Sequence, residues 1–188
     1  MRRRPLDHLP ETIRVGDGAL EVAERAFVGK IDLRGDPAAD GFLAAAGAAL
    51  GVAPPTEPNT VAEAGEARVF WLGPDEWLVV TPPEQEAALA RSLEDALGDI
   101  HSAVTVVSDQ RTVIAIGGGK AREVLEKLCP LDLHPSTFAP GSAAQTHVAH
   151  LAVLIHQRDD APSYDIYLDR THAEHLWRSL EDAAWEYG

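Results

Sequence analysis

The sequence predicts an α+β protein, a duplication of ferredoxin-like β-α-β-β-α units with pseudo-twofold symmetry. Three observations predict it. Strand-like and helix-like stretches alternate along the chain. Their order runs twice. The segment Arg91-Ser92-Leu93-Glu94-Asp95-Ala96 returns as Arg178-Ser179-Leu180-Glu181-Asp182-Ala183. Amphipathic helices reuse such letters by chance, so the matching order of elements carries the duplication. On this reading residues 1–24 are an N-terminal arm. Residues 25–188 are a single duplicated domain with halves 25–108 and 109–188.

The arm holds Pro5, Pro10, Gly16 and Gly18 with weak periodicity, and one short strand is expected at its end. Phe27 to Leu33 reads as a strand. Asp36 then caps a helix with Pro37 at its first position. Its face is Phe42, Leu43, Ala46 and Leu50. Gly51 to Gly65 is a loop rich in proline. Arg68–Leu72 and Trp77–Thr81 form a strand pair around the turn Gly73-Pro74-Asp75-Glu76. Thr81 and Glu84 make a capping box for a helix whose stripe is Leu89, Leu93 and Leu97.

The pattern then restarts. Ala103–Val107 and Thr112–Ile116 are strands around Ser108-Asp109-Gln110-Arg111. Lys120–Leu128 is a helix, and Pro130–Gly141 a second loop containing proline. Three strands follow, at 144–149, 152–157 and 164–168, with Asp159-Asp160-Ala161-Pro162 as turn chemistry. Thr171 and Glu174 form another capping box, opening a helix through Leu176, Leu180 and Ala184.

Composition narrows the partners. The 188 residues suffice for a proper core, and 45% are hydrophobic. Thirty acids against 16 bases give a net charge of −14, a field that repels nucleic acid. The run Arg2-Arg3-Arg4 is too short to offset it and reads as a solvated terminus. No apolar stretch follows these arginines, which argues against a signal peptide, and no run of about 20 apolar residues suggests a membrane span. Cys129 is the only cysteine, so no intramolecular disulfide can form. A reducing cytoplasm is the expected location.

A search for chemistry finds no catalytic, cofactor-binding or metal constellation. Gly117-Gly118-Gly119-Lys120 lacks P-loop spacing, and Ala121 stands where a hydroxyl would meet magnesium. A tight turn with positive φ explains the glycines. Cys129 at a helix end reads as a buried structural residue. His172 and His175 are three apart on the last helix, not in the four-apart zinc pattern. His147 and His150 lie on or near one strand, where residues three apart point to opposite faces and cannot chelate together without a bend. Asp109 and Arg111 flank a turn and are expected to form an ion pair at the crossover between halves. Trp71 and Trp77 pack in the core or anchor a partner. Trp71, Trp77, Asp109 and Arg111 are therefore the candidate partner-interface residues.

Several stretches resemble signatures of the sarcosine oxidase gamma subunit family. They are Leu72-Gly73-Pro74-Asp75-Glu76-Trp77-Leu78, Ser108-Asp109-Gln110-Arg111-Thr112 and Leu128-Cys129-Pro130-Leu131-Asp132-Leu133-His134-Pro135. Phe138 through Gly141 to Ala144-Gln145-Thr146 is a further one, and Pro5-Leu6-Asp7-His8 a weaker one. They occur in family order from about residue 68 onward. The resemblance implies a fold like the folate-binding domain of aminomethyltransferases. It implies a non-catalytic subunit, not an enzyme by itself, in a heterotetramer with alpha, beta and delta partners. That complex converts sarcosine to glycine with oxygen, forming hydrogen peroxide and 5,10-methylenetetrahydrofolate. FAD, FMN, NAD and tetrahydrofolate then belong to partner subunits, and this chain binds none. The alternative is a free-standing folate or one-carbon ligand-binding protein on the same fold.

Overall fold

Apolar side chains set the strands and helices of the computed structural model, which describes residues 3–188. Arg2 of the basic run lies outside the described residues. In chain order the elements are β1 (Thr12–Val15), β2 (Leu20–Glu24), β3 (Gly29–Gly35), α1 (Phe42–Leu50), β4 (Val61–Ala64), β5 (Ala67–Gly73) and β6 (Glu76–Thr81). Then follow α2 (Glu86–Leu97), β7 (Ser102–Val106), β8 (Arg111–Gly117), α3 (Ala121–Glu126), β9 (Ala143–Val148), β10 (Leu151–Asp159), β11 (Ser163–Asp169) and α4 (Ala173–Ala184). Among the described residues no helix is long and apolar enough to cross a membrane.

The chain forms two compact units, one of Phe27–Ser108 and one joining Met1–Ala26 to Asp109–Gly188. In the first, an antiparallel sheet has the order β4-β5-β6-β3-β7. Its core joins Ile31 and Leu33 of β3 to Phe42 and Ala46 of α1, Trp77 and Val79 of β6, and Leu93 and Leu97 of α2. The order β5-β6-β3-β7 is that of a ferredoxin-like unit, with β4 added at one edge.

The second unit has the order β1-β2-β8-β11-β10-β9, also antiparallel. Here β10-β11-β8-β2 repeats the same pattern, and β9 takes the place of β4. The fourth strand of this repeat is β2, from the N-terminal segment, and α4 runs on into a 3-10 turn (Trp185–Tyr187). Leu20 and Val22 of β2 join Ile114, Ile116, Ile166, Leu176, Trp177 and Leu180 in one core.

Several expectations need correction. The N-terminal arm has two strands, not one, and Leu6 is 2% exposed within the core. The glycines read as loop signals make the turn of the β1–β2 hairpin, where Gly16 and Gly18 have φ of 57° and 91°. Val61–Ala64 is a strand inside the expected loop. Its short, alanine-rich sequence carries little β propensity, and pairing with β5 decides it. Asp36 holds an Asx turn by accepting from the Ala38 amide at 2.8 Å. The helix begins only at Phe42, because left-handed Gly41 (φ 82°) interrupts the run.

Neither capping box forms. Glu84 has φ 68°, outside helical space, and the Thr81 hydroxyl donates to the Pro82 carbonyl, so α2 starts at Glu86. At the last helix Asp169 takes the capping role from Thr171. Its Oδ1 accepts from the Thr171 amide at 2.8 Å and from the Thr171 hydroxyl at 2.6 Å, closing a 3-10 turn (Arg170–His172) ahead of α4. Those two bonds hold the Asp169 carboxyl below the ordinary 3.8.

A carboxyl lowered on folding stabilises the native state above its unfolded pKa, and that contribution is lost as pH falls through the lowered folded value. Asp169→Ala is expected to cost about 1 kcal/mol at neutral pH. The difference from wild type should narrow below about pH 4. Urea unfolding across that range measures it, and a gap constant with pH would exclude the ionised cap.

Candidate functional site

The motif residues hold loops in place. In the Leu128–Pro135 stretch, Asp132 Oδ1 accepts from the His134 amide at 2.9 Å and Oδ2 from the Thr137 hydroxyl at 3.1 Å. These bonds lower the Asp132 pKa, the His134 amide contributing most. They bend the loop so that Leu133 and Phe138 enter the core at 0% and 5% exposure. Cys129 is buried there, its Sγ 4.0 Å from the Thr146 hydroxyl. His147 and His150 border the same cavity of about 460 Å³. His150 is not on a strand. With Ala149 it forms the β9–β10 turn, at φ of 66° and 50°.

The Ser108–Thr112 stretch is used in the same way. The Ser108 hydroxyl accepts from the Lys30 amide at 3.0 Å. The carbonyls of Asp109 and Gln110 accept from Arg170 at 3.2 and 2.9 Å. The Thr112 hydroxyl donates to Glu24 at 2.9 Å, tying β8 to the end of β2. Among the described residues the expected Asp109–Arg111 ion pair does not form; Asp109 is exposed at the turn, and Arg111 begins β8. Arg111 instead lies across from Asp169 in the β8–β11 register. Both line a cavity of about 510 Å³ with Gln110, Gln145 and His147.

Trp77 is the clearest departure from the expected interface. It is 0% exposed, its ring lies 5.5 Å from that of Phe42, and its Nε1 donates to the Pro55 carbonyl at 2.7 Å. A side chain so enclosed packs the core and cannot anchor a partner. Trp71, its cross-strand neighbour, is half-buried.

The glycine loop serves backbone packing. Gly118 has φ 108°, and a Cβ there would sit 2.4 Å from the Ala19 carbonyl oxygen. The Lys120 amide donates to that same oxygen at 2.9 Å. The Lys120 ammonium is engaged by Glu123 at 2.7 Å and lies 5.3 Å from the Tyr187 ring centroid. His172 lies in the 3-10 turn, not on α4 with His175, whose Nε2 sits 3.3 Å from the Ala149 carbonyl. Among the described residues no three His, Cys, Asp or Glu side chains are grouped to hold a metal.

Sequence reasoning missed Trp185, which is 85% exposed in the turn after α4. The signal was present. Trp185 follows Glu181 by four positions and so continues the charged face, off the stripe of Leu176, Leu180 and Ala184.

Residues 34–186 match the family described as "Sarcosine oxidase, gamma subunit family". The chain is 37% identical over 190 residues to sarcosine oxidase subunit gamma of Corynebacterium sp. (strain P-1), covering 100% of this chain and 92% of that one. It superposes with a TM-score of 0.89 and 34% identity on a chain of heterotetrameric sarcosine oxidase from Corynebacterium sp. U-96, over 99% of this chain and 96% of the other. Glycine cleavage system aminomethyltransferase T from Bartonella henselae shares the fold at TM-score 0.63 and 17% identity, over 85% of this chain and 44% of that one. A doubled α+β scaffold whose motif side chains brace its own loops, matched end to end in this way, belongs to the sarcosine oxidase gamma subunit family.

Proposed function

We propose that this chain is the non-catalytic gamma subunit of a heterotetrameric sarcosine oxidase, where it supports the geometry of alpha, beta and delta partners. The observation that carries the reading is the superposition over 99% of this chain on a chain of the Corynebacterium heterotetramer. The use made of the motif residues supports it. Asp132, Thr112 and Gly118 spend their polar groups or their space on the chain's own elements. On this reading the partners hold FAD, FMN, NAD and tetrahydrofolate and demethylate sarcosine to glycine in the cytoplasm. Trp71, Asp109 and Arg111 keep solvent access and remain contact candidates.

Co-expression with and without this chain tests the proposal. Omitting it is expected to abolish a stable complex and to lower sarcosine turnover at least about tenfold, as loss of an obligate interface does. Companion subunits that assemble and turn over sarcosine normally on their own would refute it.

A further inference from the structure

We propose that a groove between β1 and the end of α4 docks a companion subunit of the oxidase, taking an extended apolar segment that carries a Lys or Arg. The inference rests on the gamma-subunit reading and adds the place and chemistry of a contact.

The groove, of about 580 Å³, is lined by Ile13 and Val15 of β1 and by Trp185. Trp185 is 85% exposed, against 41% for Phe27 and 45% for Val106, the other large hydrophobics left open among the described residues. A tryptophan in water beside two aliphatic side chains is the composition of an interface anchor, because large aromatics supply much of the energy of association. β1 is also the edge strand of its sheet, so one row of its backbone groups has no neighbouring strand. An extended segment can pair there while its side chains fill the groove.

Charge selects the occupant. Arg178, Glu181 and Asp182 border the groove. Arg178 is shared between Glu181 at 3.1 Å and Glu174 at 3.9 Å. Among the described residues the ion pairs within this helix join Arg178 to Glu174 and Glu181, and none reaches Asp182. The groove therefore presents one uncompensated carboxylate beside its apolar floor, and a Lys or Arg completes it. A second copy of this chain is disfavoured, since each copy carries −14 and the two repel.

The test titrates the full chain against the assembly of companion subunits, using wild type, Trp185→Ala and Asp182→Lys. Both side chains are exposed, so the variants should keep the wild-type unfolding midpoint. Trp185→Ala is expected to weaken association about tenfold or more. Asp182→Lys should weaken it chiefly at low salt, through a slower on-rate. Variants that bind within about twofold of wild type overturn the docking site and leave the gamma-subunit reading standing. Wild type that does not bind removes that reading and this proposal together. Self-association of the isolated chain that Trp185→Ala abolishes, with companion binding unchanged, would give the groove to a second copy and also overturn it.

Discussion

Replacing Trp77 by alanine is expected to destabilise the Phe27–Ser108 unit by about 3–5 kcal/mol, the usual cost of deleting a large buried aromatic. Two effects contribute, and burial dominates. The indole is 0% exposed and packs beside Phe42 at 5.5 Å, so its removal leaves a cavity between β6 and α1. The lost hydrogen bond matters less, because Pro55 is half-buried and water can reach its carbonyl. Trp77→Phe separates the two. It keeps most of the packing, loses the 2.7 Å bond to Pro55 and should cost about 1–2 kcal/mol. The same bond tethers the loop between α1 and β4, so amide exchange there should quicken in both variants. Native stabilities are roughly 5–15 kcal/mol, so the alanine variant loses a large share. Denaturant unfolding measures it, and a loss under about 1 kcal/mol would show that the core repacks around the gap.

Gly118→Ala is expected to cost about 3 kcal/mol or more, from strain at positive φ together with a backbone collision. The new Cβ would meet the Ala19 carbonyl oxygen at 2.4 Å, its carbon at 2.9 Å and Leu20 Cα at 3.1 Å. All three are backbone atoms of the β1–β2 hairpin, so no side-chain rotation relieves the contact. The hairpin must move, and the 2.9 Å bond from Lys120 to Ala19 goes with it. Gly119 gives the matched control. A Cβ there meets nothing within 4 Å, and Gly119→Ala should be neutral within about 0.5 kcal/mol. The pair also separates a packing turn from a phosphate cradle. A cradle would need Gly119 and Lys120 as much as Gly118, and phosphate would raise the wild-type midpoint. Thermal unfolding of the two variants, with and without phosphate, decides. Equal damage from both substitutions would sink the packing account.

The sequence was most legible where burial alone sets the outcome. The stripe of α2, the run from Thr112 to Ile116 and the strand pair around Gly73–Glu76 stand close to where periodicity puts them. It was least legible where competing local bonds decide. Asp169 and Thr171 both offer a cap, and only the backbone path makes Asp169 the acceptor. Thr81 and Glu84 have capping-box spacing, but φ 68° at Glu84 removes the geometry that spacing assumes. The edge strands β1 and β4 take their identity from a neighbour, so their own letters say little. Among the tryptophans, residue type could not tell core from surface. β6 is buried from Trp77 to Thr81, so alternation gives no phase there, whereas position relative to the apolar stripe marks Trp185.

The borrowed strand β2 has a consequence for biosynthesis. The Thr112–Glu24 bond spans 88 residues and the His8–Glu174 contact 166. The segment that supplies β1 and β2 is therefore translated well before the partners it pairs with. Phe27–Ser108 is contiguous and can close while translation continues. The leading hairpin waits, with Leu20 and Val22 uncovered, until β8 and α4 have emerged. During that interval the nascent chain carries an open, sticky strand pair, and chaperone capture or aggregation should concentrate on β1 and β2.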